Sequence, residues 1–112
     1  LLHDRAPERG WELKIAGSGD ADVVAQYHQT VKDLQLESRI EFLGRIDRSE
    51  VLQHMRSATA VLSPIIYDEP LGNSNLEALG SGTPLIGARA GAMPEIIVDQ
   101  ESGLMYDRHD VN

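Results

Sequence analysis

Glu69 and Glu77 bracket the segment Glu69-Pro-Leu-Gly-Asn-Ser-Asn-Leu-Glu77, which runs on into Ala-Leu-Gly-Ser-Gly-Thr-Pro84. The spacing predicts a helix over about 73–81, so the two carboxylates flank its start. A helix N-terminus offers unpaired backbone N–H groups and partial positive charge, which suit an anion. Carboxylates accept hydrogen bonds from hydroxyls lying beside that anion. An anion with neighbouring hydroxyls is the chemistry of a nucleotide sugar. Two solvated carboxylates around a capped helix would leave the same local pattern, so the rest of the chain has to decide.

The elements that would position this segment alternate between strand and helix. Trp11–Ala16 alternates apolar and polar residues and ends at Gly17-Ser18-Gly19, as a strand entering a turn does. Asp20 is a fitting N-cap for a helix over about 21–35, with Val23, Val24, Tyr27, Val31 and Leu34 expected in the core. A short strand at 40–43 stops at Gly44. Asp47 with Glu50 resembles a capping box opening a helix that buries Val51, Leu52 and Met55. Further strands are expected at 59–62, 84–88 and 103–106, with a short proline-started helix at 93–97. Such alternation predicts an α/β fold, a parallel sheet with helices on both faces. Ligands in these folds bind beyond the carboxyl ends of the strands. Gly17, Gly44, Pro64 and Gly87 are read as lying at or just past those ends.

Composition narrows the function classes. The chain has 112 residues, a net charge of −8 and no cysteine. That charge argues against a nucleic-acid face and against docking on anionic lipid. It also means that local groups must hold any anionic ligand. No disulfide framework or thiolate metal site is available, and the apolar runs are too short to span a bilayer. His3, His28, His54 and His109 lack metal-site or triad spacing. Asp107, Asp110 and the 99–101 acidic cluster lack the glycine-turn spacing of a calcium loop. No metal and no cofactor are expected.

Four blocks then occur in order: Ile15-Ala-Gly-Ser-Gly-Asp20, Arg39-Ile-Glu-Phe-Leu-Gly-Arg-Ile46, the Glu69-to-Ile86 segment, and Gly91-Ala-Met-Pro-Glu-Ile96 with Ser102-Gly-Leu-Met105. Together they resemble the C-terminal, donor-binding Rossmann-like domain of retaining glycosyltransferases with the GT-B fold, glycosyltransferase family four (glycosyl transferases group 1). Four ordered blocks are far more specific than any one of them. Leu71, Gly80 and Ala92 depart from the family pattern, and Ala92 replaces a glycine where it restricts the backbone turn.

The resemblance implies a single donor domain over 1–112, an incomplete C-terminal half of a GT-B fold. The first strand and helix of that domain, its final helix and the N-terminal acceptor domain would belong to a longer protein. It implies a nucleoside-diphosphate sugar as donor and metal-independent transfer to an acceptor hydroxyl. Backbone N–H groups of Gly72, Asn73 and Ser74 would hold the diphosphate, with Gly72 permitting close approach. Glu69 would act in the reaction by positioning sugar hydroxyls, and Glu77 would hold the ribose. Gly17, Arg45 and Ile46 would meet the base and ribose, although by themselves Gly17-Ser18-Gly19 read as a plain strand-to-helix turn and Arg45 as a solvated turn residue. Base, sugar and acceptor are left open. A cytoplasmic location follows, with membrane-peripheral attachment through the absent N-terminal domain also open. Two competitors keep a similar fold: a nucleotide-sugar epimerase, expected to lack the Gly72-to-Glu77 helix-start pattern, and a non-catalytic nucleotide-binding or structural domain. Arg89 reads as a surface residue, and Glu95 as favouring the positive end of a short helix.

Overall fold

A computed structural model describes residues 10–65, 67–68 and 70–109. Expected Glu69, His3 and Asp110 lie outside the described residues. The elements run β1 (Leu13–Ala16), α1 (Ala21–Asp33), β2 (Ile40–Gly44), α2 (Arg48–Ser57), β3 (Val61–Ser63), α3 (Asn73–Gly80), β4 (Leu85–Ala88), α4 (Met93–Ile96) and β5 (Gly103–Tyr106). Strand pairing among them is parallel, in two sheets of order β1-β2 and β3-β4-β5. With a helix in each strand-to-strand connection, this is the Rossmann-like α/β class. The chain divides into two compact units, Leu1–Asp47 and Arg48–Asn112.

In the first unit, Asp20 caps α1 as its sequence position predicts. Its carboxylate accepts from the amides of Asp22 at 2.9 Å and Val23 at 3.3 Å. The apolar stripe of α1 behaves otherwise. Val23, Tyr27 and Leu34 are exposed, Val24 and Val31 are half-buried, and the helix has no buried residue. The core assignment of these five residues is therefore corrected. Two strands about 4.8 Å apart are narrower than a helix about 10 Å across, so β1 and β2 cannot cover the stripe. His28 does reach the sheet, its ring 4.1 Å from that of Phe42. Trp11 precedes β1, where the Arg39 guanidinium donates to its carbonyl at 3.1 Å and sits over its ring.

The second unit closes around Met55, Ala78, Leu85, Met93 and Ile97. Val51, Leu52, Val61, Leu79, Ile96 and Met105 pack against that cluster. Helix α2 begins at Arg48, directly after Asp47, and buries Met55 as expected. Strand β3 starts two residues later than the sequence predicts. Its register is set by β4, since Val61 pairs Leu85 and its amide donates to the Pro84 carbonyl at 2.9 Å. Gly87 is corrected from a strand end to a strand interior. A Cβ there would collide with the Met93 methyl and lie 3.2 Å from the Ser63 carbonyl, so the glycine serves packing. Buried Thr83 donates from its hydroxyl to the Met55 carbonyl at 2.6 Å, which ties the α3–β4 turn to the end of α2. No described helix is long and apolar enough to cross a membrane.

Candidate functional site

Helix α3 is positioned from beneath by its buried residues. Ala78 is fully enclosed, and Asn75 turns inward to donate to the Met93 sulfur at 3.5 Å. The opposite side of its first turn is open. Gly72 is the N-cap at φ 66°, a left-handed conformation that a side chain would strain. Among the described residues, no side chain caps the helix. The Gly72 carbonyl accepts from the Asn75 amide at 3.0 Å, closing the first turn. Among the described residues, nothing accepts from the amides of Gly72, Asn73 or Ser74. Three donors therefore stand together at the positive end of the helix.

Glu77 is the fifth residue of α3, one turn beyond Asn73 and on the same face. Its side chain is 25% exposed, and its Oε1 accepts from Arg48 Nε at 2.9 Å. Gly72, Asn73, Ser74 and Glu77 thus come together on one helix start, as the sequence predicts. In the first unit, the ends of β1 and β2 converge where the Gly17 amide donates to the Gly44 carbonyl at 2.8 Å. Gly17 and Arg45 line an open cavity of about 450 Å³ there, together with Gly19, Val24 and His28. Ile46 is half-buried beside Arg45 and does not line that cavity.

Asp68 was not singled out by its sequence, yet it ties three segments together. Its Oδ1 accepts from the Gly91 amide at 3.1 Å and from Arg108 Nη2 at 2.8 Å. The loop before α3, the turn after β4 and the segment after β5 meet at this one oxygen. The Gly91 amide, followed by the Arg108 guanidinium, holds the Asp68 carboxyl below its ordinary value of 3.8. Its partners lie 23 and 40 positions away, so no local pattern could have revealed the clamp. Gly91 takes the left-handed conformation at φ 52°, while Ala92 is ordinary right-handed at φ −78°. The expected restriction at Ala92 is therefore absent, because the turn places its demand on Gly91. Arg89 lies 3.9 Å from the Asp99 carboxylate and 4.0 Å from that of Asp107, a surface arrangement.

Against known families, residues 1–112 match the model described as glycosyl transferases group 1. The chain belongs to that family. This group 1 chain is 36% identical over 110 residues to the D-inositol 3-phosphate glycosyltransferase of Corynebacterium glutamicum, covering 96% of the chain and 26% of that protein. It is 34% identical over 109 residues to the Corynebacterium diphtheriae protein of the same name, covering 96% and 25%. It spans about a quarter of the length of these curated relatives. Among solved structures, Anabaena HepE in complex with UDP-glucose superposes with a TM-score of 0.78 at 28% identity, covering 88% of the chain and 27% of HepE. The C-terminal domain of the group 1 protein LpcC from Francisella tularensis gives 0.79 at 30% identity, covering 96% and 56%. The fold is that of the C-terminal half of GT-B glycosyltransferases.

Proposed function

We propose that this chain is the donor-binding portion of a longer, retaining and metal-independent glycosyltransferase that uses a nucleoside-diphosphate sugar. The observation that carries the reading is the start of α3. Three amides without an acceptor among the described residues, Gly72 to Ser74, stand one turn from the recessed carboxylate of Glu77. Family membership and the UDP-glucose held by HepE favour the same ligand class.

In this reading the diphosphate lies on the open amides, where charge growing on the departing phosphate oxygens is stabilised. A helix terminus contributes on the order of 0.3–2 kcal/mol to such an interaction, so other cations of the longer protein must add to it. Glu77 accepts from the ribose hydroxyls. The turn at Gly91, held by Asp68, supports the loop that leads into α3. Glu69 orients the sugar hydroxyls and forms no covalent bond, while the acceptor hydroxyl attacks from the leaving-group face and passes its proton to a donor phosphate oxygen. Gly17, Arg45 and Ile46 meet the base. The acceptor determinants and an N-terminal domain belong to the longer protein, which works in the cytoplasm.

On its own the chain binds nucleoside diphosphate weakly at best and transfers no sugar. Calorimetric titration of the longer protein with UDP, GDP and ADP sugars identifies the base. In that protein Glu77→Ala weakens donor binding about tenfold, the loss expected for hydrogen bonds to a charged group. Glu69→Ala mainly lowers the rate of transfer. Donor affinity unchanged by Glu77→Ala would remove the ribose assignment.

A further inference from the structure

We propose that Arg48 is a positioning residue that holds Glu77 ready for a ribose diol; this inference rests on the donor-binding reading above. Arg48 is the first residue of α2, and its side chain is 78% exposed, against 25% for Glu77. The guanidinium thus covers a recessed carboxylate from the solvent side. The contact is specific in its atoms, with Nε donating to Oε1 at 2.9 Å. Oε2 has no donor among the described residues and stays open to a ligand. Each carboxylate oxygen carries two acceptor sites, so Oε1 can take a second hydroxyl while keeping Arg48.

Two physical problems of the site are met by this one residue. A free glutamate side chain samples several rotamers, and ordering it on binding costs conformational entropy. Helices α2 and α3 share the core of their unit through Met55 and Ala78, so a bond between them holds the carboxylate in place beforehand. The second problem is charge. Glu77 stands one turn from amides proposed to hold a dianionic diphosphate, in a chain of net charge −8. A guanidinium on Glu77 offsets the repulsion between carboxylate and phosphate. An exposed ion pair adds little to folding, so its value lies in the site and not in stability.

The test measures preference for the ribose hydroxyls. UDP and 2′-deoxy-UDP are titrated into the longer protein up to millimolar concentration, with calorimetric affinities as readout. Four proteins are compared: wild type, Arg48→Ala, Arg48→Lys and Glu77→Ala. Wild type is expected to favour UDP roughly tenfold, as for a hydrogen bond to a charged acceptor. Arg48→Ala cuts that preference to roughly twofold or less, and Arg48→Lys, which keeps charge without the fixed Nε, restores part of it. Glu77→Ala abolishes it. A wild-type preference retained in Arg48→Ala but lost in Glu77→Ala overturns this inference alone. A preference retained in Glu77→Ala, or no UDP binding by the wild type, overturns the donor-site reading and this inference with it. The hydroxyl preference is a ratio within one protein, so a purely structural role for Arg48 would leave it unchanged.

Discussion

Helices α1 and α3 carry their apolar residues to opposite ends. Helix α1 has the longer and more regular apolar stripe, from Val23 through Val31 with Leu34 at its C-cap, and buries none of it fully. Helix α3 is eight residues long and mixes Asn, Ser and Glu among its apolar positions, yet encloses Ala78 and Asn75. The difference lies in what each helix meets. Helix α3 packs in a unit with three paired strands and two other helices, whereas among the described residues the unit of α1 has two short strands. Amphipathic patterning states which face prefers burial; the area available decides whether burial occurs. The same contrast leaves α3 anchored through Ala78 and Asn75 beneath its exposed first turn.

The comparison is broken or sharpened most strongly at Leu85. Leu85 is fully buried in the second unit, and Leu85→Ala should cost about 2–5 kcal/mol in urea unfolding. A cost near zero would mean that this cluster is not the core that holds α3. A smaller effect is expected at the Asp68 clamp. The folded carboxyl lies below its ordinary 3.8, so its contribution is present above that value and is lost as pH falls through the folded value. Asp68→Asn should lower the urea midpoint at about pH 7 and flatten its decline below about pH 3.8. Equal pH dependence in both proteins would show that the contacts to Gly91 and Arg108 do not stabilise the fold. The smallest effect is expected at Tyr27, which is 60% exposed on α1. Tyr27→Ala should change stability by no more than about 0.5 kcal/mol. A loss approaching that of Leu85→Ala would show that the α1 stripe is covered in solution.

Much of the element order was legible because local signals agreed. Asp20 caps where its position predicts, α2 follows Asp47, and the helix after Gly72 starts at Asn73. Gly72 and Glu77 were legible for the same reason, since both belong to one helix turn. The start of β3 was not, because pairing with β4 chooses its first residue. Nor was the packing role of Gly87, which depends on Met93 lying over it. Arg48 and Asp68 escaped for a further reason: Arg48 meets its partner 29 positions away and Asp68 meets its own 23 and 40 away, and a linear pattern records no such distances.

By itself the sequence determined the succession of strands and helices, the open helix start at Gly72-Asn73-Ser74, and the ordered blocks that belong to the glycosyl transferases group 1 family. These rest on capping, periodicity and backbone preferences that act over a few residues. Only the tertiary structure decided which apolar residues are enclosed, that Arg48 holds Glu77, and that Asp68 joins three loops. Those outcomes depend on which surfaces meet across the chain, and burial and charge pairing are properties of surfaces in contact.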